Sequence, residues 1–127
     1  MVEEKRLVKE ILSLIGDEKF TSILCCGRGG LVPSAYLAHA LGIKTVHHLP
    51  TGNTVPPETF RTNGLGNKVL IVDDISDTGD TLTEMVKHIS IPYKTAVLYE
   101  RITTSFRCDY VGQPITHNNW ITFDWEK

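Results

Sequence analysis

The chemistry of this chain gathers in one stretch, Val69-Leu-Ile-Val-Asp-Asp-Ile-Ser-Asp-Thr-Gly-Asp-Thr81. An apolar run ends in Asp73 and Asp74, and Ser76 to Thr81 follows with hydroxyls, Asp77, Gly79 and Asp80 ahead of a helical pattern. Backbone N–H groups in such a loop, added to a helix N-terminus, form a cradle for a phosphate dianion. The hydroxyls of Ser76, Thr78 and Thr81 would add donors. Asp73 and Asp74 stand just before that cradle, where carboxylates suit the hydroxyls of a sugar or a hard divalent cation. The stretch therefore reads as a site for sugar hydroxyls beside a 5′-phosphate. A strand end leading into an N-capped helix would need only one Asp or Thr.

A second segment, Gly27-Arg28-Gly29-Gly30, carries less information. Alone it is a tight turn before a helix. It is not a dinucleotide fingerprint, because G-x-G-x-x-G would need glycine where Val32 stands, and no G-x-x-x-x-G-K-[ST] occurs. Cys25, Cys26 and Cys108 form no paired framework and no zinc spacing, so they read as buried reduced thiols. His47 and His48 read as solvated strand-end residues, and His88 and His117 as no more than that. Glu84 and Lys87 read as a wet helix face.

The elements that must position these residues follow from periodicity. Leu7, Val8, Ile11, Leu12, Leu14 and Ile15 share a helical face, with Gly16 as the stop. Thr21 to Cys26 is a short apolar run bounded by glycine, a buried strand. Leu31 to Leu41 is helical, with Pro33 near its start and Gly42 past its end. Lys44 to Leu49 is a strand, and residues 50 to 67 form a loop long enough to be functional. Val69 to Val72 is the strongest strand. Thr81 to Ile89 is a helix stopped before Pro92, Thr95 to Tyr99 a strand, and Cys108 to Val111 a short one. This order predicts an α/β fold, a single doubly wound, mostly parallel sheet flanked by helices over residues 1–127.

Composition narrows the partners. The 127 residues are 41% apolar and 22% charged, with 13 basic and 15 acidic side chains and a net charge of −2. One domain of ordinary composition results, without the basic surplus of a generic nucleic-acid binder. The N-terminus has no signal-peptide core and no apolar run reaches the ~20 residues of a membrane span, so a cytoplasmic protein is expected. A response-regulator receiver domain also clusters aspartates, but its acidic pair follows the first strand. Here the whole cluster follows the third.

Val69 to Thr81 resembles the phosphoribosyl-pyrophosphate (PRPP) motif of type I phosphoribosyltransferases. Cys26 to Gly42 looks like the pyrophosphate loop and following helix of the xanthine-guanine branch, and Trp120-Ile-Thr-Phe-Asp-Trp125 is similar to that branch's base-binding tail. The resemblance implies transfer of the phosphoribosyl group from PRPP to a purine, with Mg²⁺, in a homodimer or homotetramer. It implies that Asp73 and Asp74 hold the ribose hydroxyls, with Asp74 contacting Mg²⁺. Ser76, Asp77, Thr78, Gly79, Asp80 and Thr81 would surround the 5′-phosphate, and Arg28 and Gly29 the pyrophosphate. Asp77 would be the acid/base, while Trp120 covers the base and Ile121 meets its edge. The family also implies a cis peptide at Gly27–Arg28.

Two positions depart from the family. Its base-reading lysine is replaced by Glu100-Arg101, assigned here to the base pocket. Glu100 would favour an amino-bearing ring, or Arg101 would supply the missing cation, or Glu100 points to solvent. The hood loop, residues 50 to 67, is reduced and has Arg61 as its one cation between Pro50 and Asn67. Two functions remain open: a purine phosphoribosyltransferase, and a non-catalytic PRPP or nucleotide sensor on the same scaffold. Retention of Asp77 favours catalysis, since a sensor needs the cradle but no proton-handling group.

Overall fold

The structure is a computed structural model that describes residues 2–49, 64–117 and 119–126. The loop residues 50–63, with Arg61 and the reduced hood expected of them, lie outside the described residues. In chain order the elements are α1 (Val2–Ile15), β1 (Ser22–Cys26), α2 (Leu31–Leu41), β2 (Val46–Leu49), β3 (Val69–Ser76), α3 (Asp80–Val86), β4 (Tyr93–Arg101) and β5 (Tyr110–Ile115). A 3₁₀ turn, Asp124–Glu126, ends the tail. The five strands form one sheet in the order β2-β1-β3-β4-β5, parallel throughout. The expected doubly wound α/β fold is the one observed. No helix among the described residues is long and apolar enough to cross a membrane.

The central strands are apolar on both faces, and each face has its own cover. Ile23, Leu70, Val72, Ala96 and Leu98 pack with Leu7, Val8, Ile11 and Ile15 of α1 and Leu37 of α2. Leu24, Cys26, Val69, Ile71 and Val97 face the other way, onto Leu82 and Met85 of α3. Adjacent strand residues point to opposite faces, so one continuous apolar run builds two cores. Leu14, expected on the buried helical face, is 51% exposed. The stripe centres on Leu7, Ile11 and Ile15, and Leu14 falls on its margin.

Several boundaries differ from the periodic pattern for local reasons. β3 does not stop at Val72; it runs through Asp73 and Asp74 to Ser76, because Ile75 and Ser76 still pair with Tyr99 and Glu100 of β4. β4 likewise extends through Glu100 and Arg101, which pair with Pro114 and Ile115. β5 begins within the Cys108–Val111 segment that the pattern suggested, at Tyr110, and runs on to Ile115. Its sequence is disguised by Gly112 and by Pro114, which is tolerated on an edge strand. Gly112 is required by packing: a Cβ there would lie 2.6 Å from the Leu98 carbonyl and 2.9 Å from Leu7 Cβ. α3 is shorter than expected, yet Ile89 and Ile91 still pack beneath it.

The return from β4 to β5, residues 102–109, has no helix. Phe106 and Cys108 take the place of one against the second core. Polar anchors hold this segment down. Buried Glu100 accepts from Arg107 Nη1 at 3.0 Å and from the Cys108 N–H at 2.8 Å. Asp109 Oδ2 accepts from the Thr95 N–H at 2.8 Å and from its hydroxyl at 3.1 Å. A buried acceptor with two donors becomes costly to remove because both donors are then orphaned. Glu100→Ala should therefore lower the unfolding free energy by about 1–3 kcal/mol in urea titrations. A loss within the ~0.5 kcal/mol of an ordinary surface change would show that other contacts hold the segment.

Candidate active site

The site lies where the carboxyl ends of β1 and β3 part, the place at which open α/β sheets form a ligand crevice. From β1 the chain turns through Gly27, whose φ is +56°, and enters α2 over Gly29 and Gly30. Gly30 admits no side chain, since a Cβ would lie 2.7 Å from the carbonyls of both Cys26 and Val72. The peptide between Gly27 and Arg28 is not cis, contrary to the implied geometry, and no described peptide bond is. The left-handed Gly27 makes the turn instead.

A cavity of about 240 Å³ fills the crevice. Arg28 and Gly29 line one wall, Asp73, Asp74 and Ser76 the floor, and Asp77, Thr78, Gly79 and Thr81 the far side. Asp80 does not line it; as the first residue of α3 it turns outward and is exposed. Ser76 lines the cavity, but its hydroxyl is turned away from it. That hydroxyl donates to the Phe106 carbonyl at 3.0 Å and shares a 2.9 Å hydrogen bond with Thr104 Oγ1. Ser76 thus ties the cradle to the return segment rather than offering a donor to a ligand.

Thr104, Ser105 and Phe106 are functional supports that the sequence reading missed. Ser105 donates from its N–H (2.9 Å) and its hydroxyl (2.8 Å) to the Thr78 carbonyl. Gly79, with φ +96°, packs so closely that a Cβ would lie 2.6 Å from the Phe106 nitrogen. The hydroxyl run Thr103-Thr104-Ser105 just beyond a strand was the one available signal.

The acidic pair is the electrostatic centre. Asp73 Oδ1 accepts the Asp74 N–H at 2.8 Å, and Asp74 Oδ1 accepts the Ile75 N–H at 2.8 Å. Burial raises the pKa of both carboxyls; for Asp73 the neighbouring Asp74 charge adds to the rise. Gly29 lies directly against Asp74, where a Cβ would be 2.2 Å from Oδ2. No group of three or more His, Cys, Asp or Glu among the described residues would hold a metal by itself. The cysteines are free, and burial raises the pKa of all three, Cys108 to about 12. Burial favours their protonated thiol form over the thiolate that acts as a nucleophile.

A second hollow of about 170 Å³ adjoins the first and is walled by Asp74, Asp77, Arg101, Trp120, Ile121 and Phe123, with Ile75 and Glu126. Trp120 is 79% exposed, an aromatic side chain mostly open to solvent. Phe123 stacks on Trp125 with ring centroids 4.8 Å apart, fixing the end of the tail. Arg101 is in this wall and Glu100 is not. They are consecutive residues of β4, so they point to opposite faces. Of the three arrangements open from sequence, Glu100 facing the base and Glu100 in solvent are both excluded by its buried contacts to Arg107 and Cys108. A third, wider hollow of about 580 Å³ opens over Arg28, Gly29, Asp74, Trp125 and Glu126. Asp74 borders all three hollows, and no histidine borders any.

The chain belongs to the phosphoribosyl transferase domain family, whose model matches residues 3–125. Among solved structures it is similar to a purine phosphoribosyltransferase from Pyrococcus horikoshii Ot3, with TM-score 0.83 and 28% identity, covering 99% of this chain and 90% of that one. It is also similar to a xanthine-guanine-hypoxanthine phosphoribosyltransferase from Helicobacter pylori (TM-score 0.76, 20% identity, 98% and 86% covered). A further similar fold is that of APRTase from Giardia lamblia in complex with 9-deazaadenine (TM-score 0.70, 17% identity, 90% and 80% covered). The family and fold make this chain a phosphoribosyltransferase.

The buried pair carries a stability cost that depends on pH. Both carboxyls keep their protons to higher pH when folded than when unfolded. The folded state is therefore favoured while they are protonated, and this contribution is lost as pH climbs from the unfolded value near ~4 through the raised values. Asp73→Asn retains an acceptor for the Asp74 N–H and removes one charge. It should raise Tm at pH 7 by a few degrees, with the gain shrinking towards pH 4. A Tm gain that is independent of pH would contradict the electrostatic origin.

Proposed function

We propose that the chain transfers the 5-phosphoribosyl group of PRPP to a 6-oxopurine (guanine, xanthine or hypoxanthine), giving a nucleoside 5′-monophosphate and pyrophosphate. The observation that carries this reading is the convergence of three hollows on Asp74. A phosphate cradle, an arginine-lined hollow and an aromatic-walled hollow meeting at one carboxylate match the 5′-phosphate, the pyrophosphate and the base around a ribose.

Each residue then has a task set by its place. Backbone N–H groups of residues 76–81, with Thr78 and Thr81 hydroxyls, hold the 5′-phosphate. Asp73 and Asp74 accept hydrogen bonds from the ribose hydroxyls. Arg28 and the backbone beside Gly29 hold the pyrophosphate, and their donors are fixed before charge develops on the leaving oxygen. The C1′–oxygen bond to pyrophosphate breaks as the C1′–nitrogen bond to the base forms. The proton lost from the ring nitrogen passes to the Asp77 carboxylate. Trp120 covers the base and Ile121 meets its edge. The arginine in the pocket wall, in place of a carboxylate, suits a ring carbonyl better than an amino group.

The donor set also fits Mg²⁺. Two adjacent like-charged carboxylates, one buried and one half-buried, whose pKa values are raised by desolvation are relieved by a cation. Mg²⁺ commonly takes only one or two carboxylates and draws its other ligands from phosphates and water, so a full protein cage is not needed. Asp74, backed by Asp73, would hold it. When bound with PRPP it supplies neutralisation of the pyrophosphate charge.

Pyrophosphate release from PRPP and Mg²⁺ across guanine, xanthine, hypoxanthine, adenine and orotate tests this reading. Turnover is expected with 6-oxopurines and markedly less with adenine. PRPP binding without turnover on any base would instead support the non-catalytic sensor, and turnover with orotate alone would overturn the purine assignment. Asp77→Asn should reduce kcat by about 10²–10⁴-fold while PRPP affinity stays within a few-fold. Equal losses in turnover and PRPP binding would count against the proton-handling role.

A further inference from the structure

We propose that Arg101 is a positioning residue, a clasp that holds the base-covering tail and orients Asp77 at the same time. The inference rests on the reading of Asp77 and Trp120 given above and goes beyond it by assigning what holds them in register.

The Arg101 side chain is 8% exposed. A guanidinium so buried is tolerated only when its donors are matched. Here each nitrogen has its own acceptor, and the acceptors come from two separate parts of the chain. Nε donates to Asp77 Oδ1 at 2.6 Å, Nη1 to the His117 carbonyl at 2.5 Å, and Nη2 to the Asn119 carbonyl at 2.6 Å. Asp77 follows β3, whereas His117 and Asn119 lie shortly before Trp120, and neither is in a helix or strand.

Both partners need an external hold. The Asp77 side chain is 48% exposed, so one face is fixed by Arg101 while the other stays open to the cavity. Trp120 itself is mostly uncovered, and its position depends on the backbone leading into it. A planar fork can reach a carboxylate and two carbonyls in different directions. A lysine ammonium is a point charge on a flexible stem and cannot reproduce that spread. The cation of this pocket wall is therefore committed to assembling the pocket, with its remaining N–H groups left for a ligand.

Arg101→Lys and Arg101→Gln test the clasp. KM for the base should rise about tenfold or more and kcat should fall, as expected when reacting groups lose their alignment, while KM for PRPP stays within about twofold. Amide hydrogen exchange at Asn119, Trp120 and Ile121 should accelerate, with β1 and β3 amides unchanged to show that the fold is intact. Unchanged exchange at those three amides, or a KM for PRPP that rises as much as that for the base, would overturn the proposal. The exchange readout stands whether or not turnover is seen, so failure of the clasp and failure of the transferase reading are separable. Wild-type protein gives a test that no variant's folding can spoil. The Arg101 Nε–H should show a resolved, slowly exchanging resonance near neutral pH, and a solvent-averaged signal like that expected of exposed Arg28 would overturn the clasp.

Discussion

Two adjacent carboxylates near the end of the central strand, Asp73 buried and Asp74 half-buried, are the constraint on which this molecule is built. Asp73 and Asp74 repel each other, and burial strips them of water, so the fold must hold them against their preference for solvent or protonation. The backbone meets part of that demand through the N–H groups of Asp74 and Ile75. Gly29 meets another part by leaving the space against Asp74 empty of any side chain. The rest comes from β1, β3 and β4, whose apolar residues are covered on both faces and supply stability the site itself lacks. Functional sites commonly carry such a cost, because groups placed for a ligand are poorly placed for folding.

The second half of the site is assembled without a dedicated helix. β4 ends in two charged residues on opposite faces, and each organises a different irregular segment. Glu100 fastens residues 102–109, which in turn hold Thr78 and Ser76 of the loop proposed to cradle the 5′-phosphate. Arg101 fastens the approach to Trp120 and reaches Asp77. Irregular backbone carries its own polar groups, and side chains on a rigid strand end are well placed to satisfy them. The chain thereby positions loops around a crevice from two consecutive side chains.

Much of this was legible beforehand because its cause is local. The Val69–Val72 run, the acidic pair and the Gly-Thr-Ser stretch after it each signal one physical need, and the structure puts them where the parallel sheet requires. What escaped the sequence depends on where strands end and what lies across space. The Glu100 and Arg101 alternatives could be settled only once both were known to lie within β4, where the pleat separates them. β5 was obscured because Gly112 and Pro114 answer to close packing and an edge position instead of strand propensity. The Ser76 hydroxyl resembled a ligand donor because nothing in the sequence shows Phe106 and Thr104 folding back onto it.

Where PRPP binds decides what this crevice does. Titrating ¹⁵N-labelled protein with PRPP and Mg²⁺, and following amide shifts, locates the ligand directly. The structure predicts saturable changes concentrated at Arg28 to Gly30 and at Asp73 to Thr81, with β2 and the outer face of α1 unaffected. Saturable shifts that spare both segments, or none at millimolar PRPP, would contradict the site described here.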